Sequence, residues 1–262
     1  MESMMHRAHK PHALEAAFAQ PLTEELLSCA GITPGMRVLV MGSGLAEIAL
    51  LVAERVGCNG RVFATHADAL VVGEAAQRAL REGFDRVVFS AASPGEIALD
   101  QSVDAVVGRF FLMHELDPVS SIRHLASMVR DGGRIVVQEW HYASILWAHT
   151  SAWPPQPLYQ DFARWSIEGL RHRRAHADMG LRLVNVFTEA GLAPPALRTD
   201  LRVIHGADSF GYAFFEAAIR ELAPALDCSG FAARLERDTV ASAGHVFLPL
   251  QVGAFARVTP NS

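Results

Sequence analysis

Apolar residues fall into two alternating rhythms along this chain. Short continuous runs rich in β-branched residues are bounded by turns, and between them apolar positions recur at helical spacing. Residues 37–41 (Arg37-Val38-Leu39-Val40-Met41) form the first such run, which ends in Gly42-Ser43-Gly44. A helical pattern follows from Glu47 to a Gly57 stop. The unit then repeats, with strands expected at 61–65, 86–90 and 103–107, helices at 68–82 and 120–130, and a fifth strand at 134–139 after Asp131-Gly132-Gly133. Such alternation predicts a parallel sheet with helices on both faces.

The flanks depart from this rhythm. Residues 14–30 read as helical with a break expected at Pro21, because Thr23-Glu24-Glu25 suits a second helix start. Residues 140–160 are rich in aromatics and proline, and 161–191 read as one or two helices before a strand near 197–204. An amphipathic helix is expected over 209–226, carrying Phe210, Phe214, Phe215 and Ile219. Residues 246–258 alternate as a last strand, with Pro249 favouring an edge or a bulge. The expected organisation is an N-terminal helical segment, 1–32, and an α/β domain, 33–262, with a lid inserted at about 141–191.

Composition narrows the function classes. With 262 residues, 50% hydrophobic and 19% charged, the chain suits one large domain with a substantial core. No run of eighteen apolar residues suggests a membrane span, and the start lacks the basic-then-apolar order of a secretion signal, so a cytoplasmic protein is expected. A net charge of -5 with scattered arginines gives no footprint for nucleic acid or anionic lipid. Cys29, Cys58 and Cys228 are too dispersed to signal a disulfide framework or a zinc site. Lys10, the only lysine, lies in a polar leader, which leaves Schiff-base chemistry and Walker-type phosphate binding almost without a candidate.

Three motifs in the right order carry a resemblance. Val38-Leu39-Val40-Met41-Gly42-Ser43-Gly44, Gly108-Arg109-Phe110-Phe111-Leu112-Met113-His114 and Val129-Arg130-Asp131-Gly132-Gly133-Arg134 together resemble class I S-adenosylmethionine (SAM) methyltransferases, especially small-molecule enzymes of the quinone-biosynthesis and natural-product type. The likeness covers residues 33–139 well. Later it follows element order, including Leu248-Pro249-Leu250-Gln251-Val252. It implies a Rossmann-like seven-stranded sheet, mostly parallel with the last strand antiparallel, and a ligand over the carboxyl ends of the first strands, where the topology reverses. Gly42, Ser43, Gly44, His66, Ser93 and Phe110 occupy the positions it implies for the cofactor.

Those positions lack the acidic residues that the family places there. The acid two residues before the first loop glycine is Val40, the ribose-gripping acid at the end of the second strand is His66, and the acid near the adenine is Ser93. The last glycine of the loop is Ala46. A hydrogen bond to a charged group contributes about 1.5–3 kcal/mol, so losing two weakens a micromolar ligand to roughly millimolar. Asp68 and Glu47 are the nearby carboxylates available as substitutes, and His66 retains the chemistry to hold a ribose hydroxyl. The expected cofactor is therefore either none or a weakly bound SAM.

For chemistry, Glu139 ends the fifth strand with His141 two residues on, and His114 with Glu115 follows the fourth. A histidine titrating near neutrality shuttles protons, and a carboxylate orients it or acts as the base. A packing role for His114 beneath the loop is the alternative. Arg109 suits either a clamp on a substrate oxyanion or a cap on the sheet edge. His172 and His176 have metal-compatible spacing, but Arg171, Arg173 and Arg174 surround them and no third ligand is indicated, so no metal is expected. His149, Trp147, Trp153, Tyr159, Phe162 and Trp165 line an apolar cavity or form the lid's own core.

These readings favour an enzyme of small-molecule, natural-product metabolism that keeps the methyltransferase fold, has lost methyl transfer, and performs a SAM-independent cyclisation, rearrangement or proton transfer on a hydrophobic substrate. A SAM-dependent small-molecule methyltransferase and a non-catalytic partner protein are the alternatives. The N-terminal helix and the lid are the stretches expected to serve a homodimer, although no heptad marks one.

Overall fold

The computed structural model describes residues 2–42, 44–151 and 156–259. Its helices are α1 (Glu2–Cys29), α2 (Leu45–Val56), α3 (Ala69–Arg81), α4 (Pro118–Ser127), α5 (Ser144–Ser151), α6 (Pro157–His172), α7 (Met179–Glu189), α8 (Ser209–Leu222) and α9 (Phe231–Ala241). The strands are β1 (Arg37–Gly42), β2 (Arg61–His66), β3 (Val87–Ala91), β4 (Val103–Arg109), β5 (Val129–His141), β6 (Ala196–Asp200), β7 (Val203–His205), β8 (His245–Phe247) and β9 (Leu250–Arg257). The main sheet has seven strands in the order β3-β2-β1-β4-β5-β9-β6. Its first five strands pair in parallel, and β9 runs antiparallel between β5 and β6. This is the Rossmann-like methyltransferase sheet that the resemblance implied. Strand order reverses between β1 and β4, which places the crevice of an open α/β sheet beside the glycine loop.

Local chemistry sets most boundaries. Asp68 caps α3 by accepting from the Leu70 N–H at 2.8 Å, and Asp117 caps α4 ahead of Pro118. At Pro21 the expected break is absent, and α1 continues as one helix. Pro21 and Ala17 are exposed while Leu22, Leu26 and Leu27 are buried, so the carbonyl deprived of its N–H partner lies on the solvent side and the apolar face still docks.

Three further boundaries differ from expectation. Asp131-Gly132-Gly133 lies inside β5 rather than closing α4, where the β4–β5 register shifts between Val103 and Ala105. Gly132 donates to the Val258 carbonyl at 2.8 Å, and Val258 donates to that of Gly133 at 3.0 Å, so the last residues of the domain complete this turn. The stretch 197–204 divides into β6, in the main sheet, and β7, which pairs with β8 in a separate ribbon. The stretch 246–258 divides at Leu248-Pro249, where proline has no N–H for a ladder.

Of residues 141–191, α5 packs on α6 and α6 on α8, whereas α7 packs against β5, β9 and α4. Helix α8 also meets α9 and α1. Polar residues in the core fix α1 in place. Gln138 Nε2 donates to the Ala19 carbonyl at 3.1 Å and to Gln251 Oε1 at 2.7 Å, Thr23 Oγ1 lies 2.6 Å from Gln138 Oε1, and Gln251 Nε2 donates to the Phe18 carbonyl at 3.2 Å. Buried amides with matched partners specify one docking geometry more tightly than apolar contact does.

Candidate functional site

The glycine loop and the end of β4 interlock. Gly42 has φ +105°, and a Cβ there would lie 1.9 Å from the Arg109 carbonyl oxygen. Gly44 has φ +63°, and a Cβ there would lie 2.2 Å from Arg109 Nη2. Both positions therefore require glycine for conformation and for space. The space at Gly44 belongs to the guanidinium of Arg109, which is 1% exposed and donates from Nη2 to the Gly44 carbonyl at 3.3 Å. Arg109 ends β4, which lies between β1 and β5 in the interior of the sheet.

The chain leaving β4 is held residue by residue. Phe110 adopts φ +53°, an uncommon conformation for a bulky side chain. Its N–H donates to the Gln138 carbonyl at 2.8 Å, and its ring stacks on Trp140 with centroids 4.8 Å apart. The N–H groups of Phe111 and Leu112 both donate to Glu139 Oε1, at 3.0 and 2.8 Å. Glu139 is wholly buried and caps the short 3₁₀ turn Leu112–His114, so its carboxylate organises the site's backbone.

Alternation along β5 sets two groups of residues on opposite faces of the strand. Trp140 and Tyr142 face Phe110 and Phe214, with Trp140–Phe214 centroids at 5.5 Å and Trp140–Tyr142 at 6.1 Å. Phe18 of α1 joins Phe210 and Phe214 in the same apolar group. Glu139 and His141 project from the opposite face of the strand, and His141 packs against Gly180 of α7. The ring of His141 is buried, and burial lowers its pKa against the opposing influence of the Asp178 backbone and carboxylate. His114 is exposed at the end of the turn whose first N–H groups Glu139 holds.

On the nucleoside side, Val40 is buried inside β1. His66 Nδ1 accepts from the Asp68 N–H at 3.0 Å, which puts the proton of the neutral ring on Nε2 and makes that atom a donor. Ser93 caps the short turn Pro94–Glu96, and Glu96 reaches back to the Ser93 N–H at 3.2 Å. His66 and Ser93 come together where the Ala92 N–H donates to the His66 carbonyl at 3.1 Å. Of the two carboxylates offered as substitutes, Asp68 caps α3, while Glu47 pairs with Arg78 through Oε1 and keeps Oε2 beside the loop, 3.4 Å from where a Cβ on Gly44 would stand. Ser43 lies outside the described residues, as does Trp153.

Other candidates take structural places. His176 Nε2 lies 3.0 Å from the Glu115 carbonyl and Nδ1 lies 2.6 Å from Arg182 Nη1, while His172 faces Glu168 at 3.8 Å. Among the described residues no group of three His, Cys, Asp or Glu side chains could hold a metal, and no helix is long and apolar enough to cross a membrane. Tyr159 and Phe162 are core residues of the helical layer, packed on Phe215. Sequence reading passed over Trp140 and Gln138. The signal for both was the period of two in β5, which sets them opposite Glu139 and His141.

Comparison with known proteins agrees with this architecture. A family model described as a methyltransferase domain matches residues 32–191, and the chain belongs to that family. It is 34% identical over 146 residues to a ubiquinone/menaquinone biosynthesis C-methyltransferase of Xanthomonas oryzae, covering 54% of this chain and 53% of that protein. The chain thus matches about half the length of such relatives. Among solved structures, YcgJ of Bacillus subtilis has a TM-score of 0.59 at 15% identity, covering 97% of this chain and 100% of that one. A [4+2]-cyclase, SpnF, has a TM-score of 0.56 at 18% identity, covering 93% and 82%. Geranyl diphosphate C-methyltransferase of Streptomyces coelicolor has a TM-score of 0.56 at 13% identity, covering 92% and 79%. At these identities the structural likenesses establish the fold.

Proposed function

We propose that this chain is an enzyme of small-molecule, natural-product metabolism that works without SAM and guides a cyclisation, rearrangement or proton transfer on a hydrophobic substrate. The carrying observation is the seat of Arg109, whose guanidinium fills the space that the absent side chain of Gly44 provides. The residues present do not fit SAM. Its sulfonium and ammonium would meet the Arg109 guanidinium beside the loop, in the space at Gly44 that the guanidinium already takes. Its ribose and adenine would meet His66 and the capping hydroxyl of Ser93 in place of carboxylates.

The remaining chemistry belongs to the chain itself. Phe110, Trp140, Tyr142 and Phe214 form a packed, buried aromatic group beside the end of β4, and in this reading a conjugated substrate is held in a reactive conformation against it. The role assigned to Arg109, whose guanidinium is 6.0 Å from the Phe110 ring, is to stabilise negative charge developing on a substrate oxygen. A [4+2]-cyclase with the same fold supports the compatibility of this scaffold with such a step. Glu139 holds the backbone that carries Phe110 to Leu112 in place.

The test uses small-molecule extracts from cells lacking the gene, freed of SAM and incubated with the purified chain. A product of unchanged mass is expected. A product one methylene unit heavier, formed only after SAM is restored, would contradict the proposal. That outcome belongs to the second reading, a SAM-dependent small-molecule methyltransferase, which draws support from the likeness to quinone-pathway C-methyltransferases and from the His66 Nε2–H as a donor for a ribose hydroxyl.

A further inference from the structure

We infer that Arg37, Arg61 and Arg86 form a binding site for the phosphate chain of a linear polyphosphate, free or carried by a nucleotide, at the amino end of the sheet. The site lies at the opposite end of β1 from the glycine loop, and the inference stands apart from the question of SAM.

The sheet brings together arginines that the sequence scatters. Arg37 opens β1, Arg61 opens β2, and the two are direct partners in the parallel register. Val62 pairs with Val87, which puts Arg86, the residue before β3, level with Arg61. Partners in register project from the same face, and neighbouring strands lie about 4.8 Å apart. Three arginine side chains therefore leave one face of the sheet in a row about 10 Å long. Such a row is unfavourable by itself, because like charges on adjacent strands repel.

The side chains are held in place without being neutralised. The Arg37 guanidinium lies over the Phe63 ring, 5.1 Å from its centroid, and that of Arg86 lies over Phe84 at 5.9 Å. The Nε of each is buried and has no hydrogen bond among the described residues, and Arg61 is exposed. Asp104, across β1 from Arg61, feels the Arg37 charge, but its oxygens accept from the Arg37 N–H and from Arg130 Nε. The face is also open: between β3 and β4 the chain forms only the turn Pro94–Glu96, Val88 is 46% exposed, and Ser90 is exposed.

The row selects the ligand's chemistry. Guanidinium groups bind phosphate oxygens in paired, charge-assisted hydrogen bonds. A single phosphate bridges two neighbours of the row, whereas a chain of phosphoryl groups meets all three. Its successive charges also offset the repulsion among the arginines.

Inorganic tripolyphosphate, orthophosphate and ATP are titrated into the full chain at fixed ionic strength without divalent metals. Calorimetry gives the affinity, and backbone amide NMR shifts give the location. Tripolyphosphate is expected to bind about tenfold more tightly than orthophosphate, with shifts centred on Arg61, Val62 and Val88. Arg61→Gln and Arg86→Gln should each weaken it about tenfold, while Arg171→Gln, at an exposed position of α6, should leave it unchanged. ATP binding no more tightly than tripolyphosphate assigns the site to free polyphosphate, and tighter binding assigns it to a nucleotide. Circular dichroism identifies a misfolded Arg86→Gln, in which case exposed Arg61→Gln decides. No saturable binding of tripolyphosphate, equal affinity for orthophosphate, or a loss in Arg171→Gln as large as in Arg61→Gln would overturn the inference. None of these outcomes bears on whether SAM binds.

Discussion

The Arg109 guanidinium and the Gly44 backbone define each other's position: Nη2 donates to the Gly44 carbonyl at 3.3 Å, and a methyl group on Gly44 would stand 2.2 Å from that nitrogen. Gly44→Ala should therefore destabilise the fold by about 2–4 kcal/mol, combining the left-handed backbone penalty with overpacking. Adding Arg109→Ala should relieve the overpacking share, giving a favourable coupling of about 1 kcal/mol or more in a urea-unfolding double-mutant cycle. Gly42→Ala should cost more than Gly44→Ala, because it meets a backbone carbonyl that cannot rotate away. Strictly additive effects would show that the two residues are not coupled.

Glu139 presents one oxygen to two N–H groups. Glu139→Ala should strand both in the core, at about 1–3 kcal/mol for each. Glu139→Gln retains a carbonyl acceptor and should lose much less. Thermal unfolding of the two variants measures the difference, and equal losses would contradict the capping role.

The sheet was legible in the sequence because each strand is a short apolar run closed by a glycine or polar turn, and tertiary context did not alter that reading between Arg37 and Arg109. Pro21 was misleading because a local penalty was weighed without the buried face of Leu22, Leu26 and Leu27 that offsets it. The absence of acidic residues at Val40, His66 and Ser93 was plain from residue identity. The seat of Arg109 was not, since which side chain fills a glycine's space depends on the approach of β4 to β1. Glu139 and His141 looked like a pair because they are two residues apart, and the depth of Glu139 beneath the Phe111–Leu112 turn emerges only after folding.

Gln138 links α1 to the sheet through Ala19, Thr23 and Gln251. Gln138→Ala should lower stability by about 1–3 kcal/mol through the unsatisfied groups it leaves. It should also make the N-terminal helix the first site of limited proteolysis. Unchanged cleavage kinetics would mean that apolar contacts alone dock α1.

The lowered pKa of His141 has a defined sign. The unfolded chain takes up this proton near pH 6.5 while the folded chain resists it to lower pH, so folding stability is greatest above about 6.5 and falls as the pH drops below it. His141→Gln should remove that part of the acid sensitivity and flatten the stability profile between neutral and mildly acidic pH. Urea midpoints measured across that window check it, and superimposable profiles for wild type and variant would refute it.

The central claim is that the cradle of Gly42 and Gly44 holds an arginine in place of a sulfonium cofactor. Calorimetric titration of SAM into the purified chain measures this most directly. The account predicts no saturable heat at micromolar cofactor, for the wild type and equally for a variant carrying His66→Asp alone, in which Arg109 keeps its seat. One-to-one binding of SAM by the wild type at micromolar affinity would contradict it.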